Sequence, residues 1–116
     1  MHDQGGEINA LLGQGTEFNG KLTFQGTVRI DGAFTGEIRS DGVLVIGEGA
    51  EIKAEIDVAT LIICGGEVYG NVKVREMVEI YNPGRLHGNI VSPQVFIEKG
   101  VIFEGECHME PVDGAE

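Results

Sequence analysis

Tryptophan is absent, proline occurs three times, and the 116 residues include only five Phe and two Tyr. With so few large aromatics, an interior has to be built from Val, Ile and Leu, the set that β-structure favours. Basic residues are also scarce: eight Lys and Arg stand against nineteen Asp and Glu, a formal net charge of −11. That balance argues against a nucleic-acid partner, whose phosphates need a basic surface. It argues equally against electrostatic docking on anionic lipid. The two cysteines, Cys64 and Cys107, form no Cys-x-x-Cys pair and have no histidine cluster beside them. Neither a disulfide framework nor a zinc centre is expected. No apolar run approaches the roughly 18 residues of a membrane-spanning helix. The start, Met1-His2-Asp3-Gln4-Gly5-Gly6, has neither the basic nor the apolar region of an export signal. The expected location is the cytoplasm.

Glycine, by contrast, is abundant at 19 residues, and its positions expose an internal repeat. A five-residue unit (apolar, any, small, any, apolar) recurs six times: Phe18–Leu22, Phe34–Ile38, Ile52–Ile56, Val68–Val72, Leu86–Ile90 and Phe103–Cys107. Successive units start 16, 18, 16, 18 and 17 residues apart. Between them lies a second apolar alternation, read as Val28-x-Ile30, Leu44-x-Ile46, Ile62-x-Cys64, Val78-x-Ile80 and Val95-x-Ile97. Glycine-bearing links of two lengths follow it. Ile30-Asp31-Gly32-Ala33-Phe34 is short, and Ile46-Gly47-Glu48-Gly49-Ala50-Glu51-Ile52 is long.

A period of two means strands. Strands this short, turned by glycine every few residues, satisfy their backbone by stacking as successive coils. The predicted fold is all-β: a single-stranded parallel β-helix of about six coils. A polar tail is expected at residues 1–7, the helix at 8–109 and an acidic tail at 110–116. Inside the helix, like residues stack into ladders. One runs Phe18, Phe34, Ile52, Val68, Leu86, Phe103, and another Leu22, Ile38, Ile56, Val72, Ile90, Cys107. The small residues Gly20, Gly36, Ala54, Gly70, Gly88 and Gly105 mark a level where the interior is expected to be too narrow for a side chain. Six coils at about 4.8 Å span roughly 30 Å.

Few residues suggest chemistry. Cys64 and Cys107 occupy ladder positions and read as buried apolar residues. His87 and His108 fall on outward positions. Ser40 and Ser92 fall inward at the level of Phe24, as satisfied hydroxyls. Gly13-Gln14-Gly15 and Gly47-Glu48-Gly49 lack the Lys-Ser/Thr of a phosphate loop. No catalytic residue, cofactor or metal is expected. The candidate functional feature is the pair of helix ends, where a terminal coil leaves its backbone edge open. The candidate polymerisation residues are Val101, Ile102, Phe103, Ile97 and Cys107 at one end, and Leu11, Leu12 and Phe18 at the other.

At Gly13-Gln14-Gly15-Thr16, Gly26-Thr27-Val28-Arg29-Ile30-Asp31-Gly32, Val45-Ile46-Gly47-Glu48-Gly49-Ala50 and Val101-Ile102-Phe103-Glu104-Gly105-Glu106-Cys107, the chain resembles the bactofilins, bacterial polymer-forming cytoskeletal proteins. The resemblance spans Leu12 to Met109. It implies a right-handed, three-sided β-helix whose partner is itself, in filaments that need no nucleotide. It further implies scaffolding of cell shape, of cell-wall enzymes or of chromosome organisation. Many members carry an apolar and basic N-terminal peptide that touches the membrane. Residues 1–7 have neither property, so membrane association stays open as what the resemblance implies and is not supported by the N-terminal residues. Two other readings compete. Ile46–Ile52 looks like a repeat of the left-handed β-helix acyltransferases, but the wandering spacing and the lack of a loop histidine oppose it. A monomeric adaptor would need capped ends and a binding patch.

Overall fold

The computed structural model describes residues 8–110. They form thirteen strands, with no helix among the described residues. In chain order these are β1 (Ile8–Leu12), β2 (Glu17–Phe24), β3 (Thr27–Ile30), β4 (Ala33–Ser40), β5 (Val43–Ile46), β6 (Glu51–Ile63) and β7 (Glu67–Tyr69). They continue as β8 (Val72–Ile80), β9 (Arg85–His87), β10 (Ile90–Ser92), β11 (Val95–Ile97), β12 (Ile102–Glu104) and β13 (Cys107–Met109). Every pairing is parallel and joins a strand to the coil before or after it. The result is one continuous sheet wound into a solenoid of about six coils. The two predicted tails, apart from Glu110, lie outside the described residues. Glu110 still donates its N–H to the Ser92 carbonyl.

The pairings sort the strands into three walls. The first holds the front halves of β2, β4 and β6, then β7, β9 and β12. The second holds the back halves of β2 and β4, the middle of β6, the front of β8, then β10 and β13. The third holds β1, β3, β5, the ends of β6 and β8, and β11. Both expected ladders are observed in full register. Phe18, Phe34, Ile52, Val68, Leu86 and Phe103 stack on the first wall. Leu22, Ile38, Ile56, Val72, Ile90 and Cys107 stack on the second. The walls enclose an apolar core in which Phe34, Leu44, Ile52, Leu61, Val68, Ile80 and Leu86 are fully buried. Alternation supplies the inside and outside of each strand: in β6, Ile52, Ala54, Ile56 and Val58 are buried while Glu51, Lys53 and Glu55 are exposed.

The third coil corrects the expected alternation. Leu61 and Ile63 pair with Leu44 and Ile46, so they fill the ladder assigned from sequence to Ile62 and Cys64. The cause is the corner after Val58. There, Val58 pairs with Val74 but Thr60 pairs with Met77, so the third coil turns with one residue fewer than the fourth. Buried Ala59 makes that tight corner. The phase of every later residue on β6 moves by one, and a one-residue slip exchanges inside for outside. Cys64 is therefore half-buried beyond the ladder, not within the core. Cys107 does sit over Ile90 as expected, but in the last coil it is exposed.

The small level has a different cause from the one expected. Gly36 holds φ at +136°, and a Cβ built on it would overlap the carbonyl oxygen of Gly20 in the preceding coil. Gly88 stands in the same relation to Gly70. The obstruction is the backbone of the neighbouring coil, not a narrow interior. Ala54 departs from its ladder neighbours Gly36 and Gly70 in its backbone: among the described residues no non-glycine residue has a positive φ, so the conformation that reserves this level for glycine is not adopted there. The inward serines are satisfied, as expected. Ser40 Oγ donates to the Phe24 carbonyl at 2.7 Å and accepts from Gly42 N–H at 2.8 Å. Ser92 Oγ donates to the Gln94 carbonyl at 2.8 Å.

Candidate functional site: the two open ends

A stacked coil has two edges, and interior coils pair both. Among the described residues β1 pairs only with β3 and β2 only with β4. At the other end β11 pairs only with β8, β12 only with β9 and β13 only with β10. Each end thus presents strands paired on one side only, and a row of free N–H and C=O groups is a template for further strands.

The same ends expose the last rungs of the apolar ladders. Phe18 stacks on Phe34 with ring centroids 5.0 Å apart, yet 37% of it remains exposed. Leu12, in register with Ile30, is half-buried and packs on the core. At the far end Phe103 lies over Leu86 and Val101 beside it, both half-buried. Ile97 lies over Ile80 with 38% exposed. Cys107 tops the second wall, and the part of it packed toward the sheet pushes its thiol above the ordinary range by burial.

Two expected end residues sit elsewhere. Leu11 aligns with Arg29 and Ile102 with Arg85, so both belong to outer columns and point sideways from the walls. Met109 was missed. It aligns with Ser92, completes the inner level that begins at Phe24, and is 62% exposed. Its place two residues after Cys107 was the available signal. Leu22 and Phe24 are further half-buried rungs at the first end, beyond the residues that the sequence pattern singles out.

The ends differ in charge. Glu17 and Lys21 are the only ionisable side chains from residue 11 to residue 26, whereas Glu98, Glu104, Glu106, Glu110 and Lys99 crowd the last coil. Two of these carboxylates tie the last coil to the one before it: Glu98 accepts from the Asn82 N–H at 2.8 Å and Glu104 meets His87, whereas Glu106 meets His108 at 3.1 Å within the last coil itself. His87 spans three coils. It stacks on Tyr69 at 4.6 Å, its Nδ1 lies 2.9 Å from Glu104, and its Nε2 lies 3.6 Å from Glu67. Burial and the nearby Glu67 carboxylate raise the Tyr69 hydroxyl above its usual titration range. Among the described residues no group of three or more His, Cys, Asp or Glu could hold a metal ion, and no helix is long and apolar enough to cross a membrane.

Comparison with known proteins agrees with this architecture. Residues 10–108 match the bactofilin family, described as polymer-forming cytoskeletal. Bactofilin BacP of Myxococcus xanthus (strain DK1622) is 30% identical over 105 residues, 90% of this chain and 43% of the relative. The chain therefore spans less than half the length of that protein. Bactofilin BacO of the same organism is 26% identical over 102 residues, covering 88% of this chain and 80% of the relative. The atomic structure of the cytoskeletal bactofilin BacA, from solid-state NMR, superposes with a TM-score of 0.71 at 28% identity. That match covers 84% of this chain and 93% of BacA. With residues 10–108 matched by the family model and the solenoid shared with BacA, this chain is a member of the bactofilins, a bacterial cytoskeletal family.

Proposed function

We propose that the protein is a cytoskeletal scaffold that polymerises end to end, each subunit extending the solenoid of the last, with no nucleotide required. The observation that carries this reading is the coincidence, at both ends, of unpaired strand edges with exposed rungs of the inner ladders. Stacking a second subunit buries Phe103, Ile97, Cys107 and Met109, or Phe18 and Leu12. It also supplies the missing strand partners. Burying a large apolar side chain is worth roughly 2–3 kcal/mol, so a few half-exposed rungs suffice for a concentration-dependent contact. In the bacterial cytoplasm such a filament would position cell-wall enzymes or chromosome-organising proteins and so support cell shape. These partners come from the family alone.

Sedimentation and negative-stain microscopy of purified protein without ATP, GTP or divalent metal test the reading. Filaments are expected under those conditions, and a requirement for added nucleotide would overturn it. Phe103→Arg places a charge on the exposed end of the first ladder. It should leave the strand signal in circular dichroism intact and abolish filaments. Normal filaments from this variant would remove the C-terminal end from the contact. An unfolded variant would make Phe103 ordinary core, and Met109→Arg would then be the discriminating substitution.

A further inference from the structure

The three walls differ on the outside. The outer columns of the first and second walls are mostly polar, with Glu51, Lys53 and Glu67 on one and Glu37, Arg39, Glu55 and Lys73 on the other. The central outer column of the third wall is set by register as Leu11, Arg29, Val45, Ile62, Glu79 and Phe96. Leu11 and Phe96 are exposed, and the four between them are half-buried. Outward apolar side chains in consecutive rungs are unexpected for a chain of net charge −11.

The order of that column is informative. Read from either end it runs apolar, charged, apolar, apolar, charged, apolar, and the two charges are opposite. If two copies meet face to face about a two-fold axis along the strand direction, centred between Val45 and Ile62, every rung finds a complement. Val45 meets Ile62, Arg29 meets Glu79 and Leu11 meets Phe96, each twice, as a two-fold contact demands. The flanking groups agree. Arg29 binds Asp31 through Nε at 2.9 Å, leaving its other N–H donors for an opposed carboxylate. Glu79 accepts from Tyr81 Oη at 2.6 Å, which holds that carboxylate in place. In the same arrangement Tyr81 comes opposite Asp31.

We infer that the third wall is a lateral, antiparallel self-association surface, through which two copies of this chain pack by Val45 and Ile62 and are registered by reciprocal Arg29–Glu79 pairs. The contact is small. Five ladder steps of about 4.8 Å by four residues of about 3.3 Å cover on the order of 300 Å², against roughly 800 Å² per partner in a standard stable interface. One pair of subunits is therefore weakly held, whereas subunits joined in a filament present the contact repeatedly and gain by multivalency. In its strength, though not in its geometry, lateral pairing depends on the end-to-end assembly proposed above.

Two readouts separate the ideas. High-speed sedimentation collects any filament, while low-speed sedimentation collects only laterally associated ones. Arg29→Glu and Glu79→Arg should each remove the low-speed pellet and keep the high-speed one, and the double exchange should bring the low-speed pellet back. Undiminished low-speed pellets in the single variants would overturn the inference. Loss without recovery in the double variant would overturn the opposed register. Should Arg29→Glu disturb folding by facing Asp31, Ile62→Lys gives the same loss from a residue without that neighbour. Loss of the high-speed pellet from the unmodified chain would count against end-to-end assembly. The lateral face is then still decided by crosslinking with a short bismaleimide, using Ile62→Cys with Cys64 and Cys107 changed to Ser. Crosslinked dimers are expected from this chain and not from the matching Glu55→Cys chain on the second wall. Equal yields from the two would overturn the face.

Discussion

The four middle coils and the two end coils carry the same residue types at the same repeat positions, and differ in whether a neighbour lies on each side. Phe34 and Phe18 are adjacent rungs of one ladder, yet the first is fully buried and the second 37% exposed. Ile80 and Ile97 differ in the same way. The contrast teaches that a solenoid has no intrinsic surface along its axis. Any coil is core or surface according to what stacks on it, so assembly reuses the interaction that makes the fold. The middle coils are then where substitutions should unfold the protein, and the end coils where they should spare folding and affect association.

The sharpest test sets inside against outside within one middle coil. Ile56→Asp puts a carboxylate among fully buried Ile38 and Val72 with no partner. It should cost several kcal/mol, on the order of the whole stability of a small domain. Glu55→Lys, one residue away on the exposed side, should change stability by about 0.5 kcal/mol or less. Thermal unfolding followed by circular dichroism reads both, and similar midpoints for the two would break the distinction between ladder and outer column.

Next in size is the middle-against-end contrast along one ladder. Phe34→Ala should cost about 3–5 kcal/mol through the cavity it leaves. Phe18→Ala should cost about half as much or less in the unassembled chain, because part of its surface is already in water. Urea titrations of both at a concentration below assembly measure the gap. Equal losses would mean that the first coil is covered in the free subunit.

The smallest contrast is between glycines of identical backbone type. Gly88 and Gly20 have φ of +146° and +140°. A Cβ on Gly88 would run into the Gly70 carbonyl, whereas one on Gly20 has only the Phe18 ring near it, at 3.7 Å. Both alanine variants bear the cost of an unfavourable φ, about 1–3 kcal/mol. Gly88→Ala should lose more, by about 1 kcal/mol or above, because two coils must also separate locally. If stacking buries the first coil in the polymer, Gly20→Ala should also raise the concentration at which filaments appear, which light scattering would detect.

Much of this was legible in the residues. Alternation with period two separates inside from outside without any tertiary information, because successive side chains leave a strand on opposite faces. The recurrence of the five-residue unit aligned the rungs from Phe18 to Phe103 and from Leu22 to Cys107, which the pairings reproduce. It also indicated about six coils. The end residues were legible only in part. Phe18, Phe103, Ile97 and Cys107 occupy end rungs, whereas Leu11 and Ile102 face sideways and Met109 went unnoticed.

What the tertiary structure alone decided concerns corners and neighbours. The number of residues spent at a corner cannot be read from alternation, since a corner with one residue fewer leaves an equally apolar pattern on either phase. In the run Leu61-Ile62-Ile63-Cys64, both phases are apolar, and pairing with Leu44 and Ile46 selects Leu61 and Ile63. The glycine level depends on how closely two backbones approach, a distance between residues 16 to 18 apart in sequence that no local pattern encodes. The outer column from Leu11 to Phe96 exists only once six separate coils are in register. Its members never neighbour one another in the chain, and the opposed charges of Arg29 and Glu79 become a feature of one surface only when stacking brings them into line.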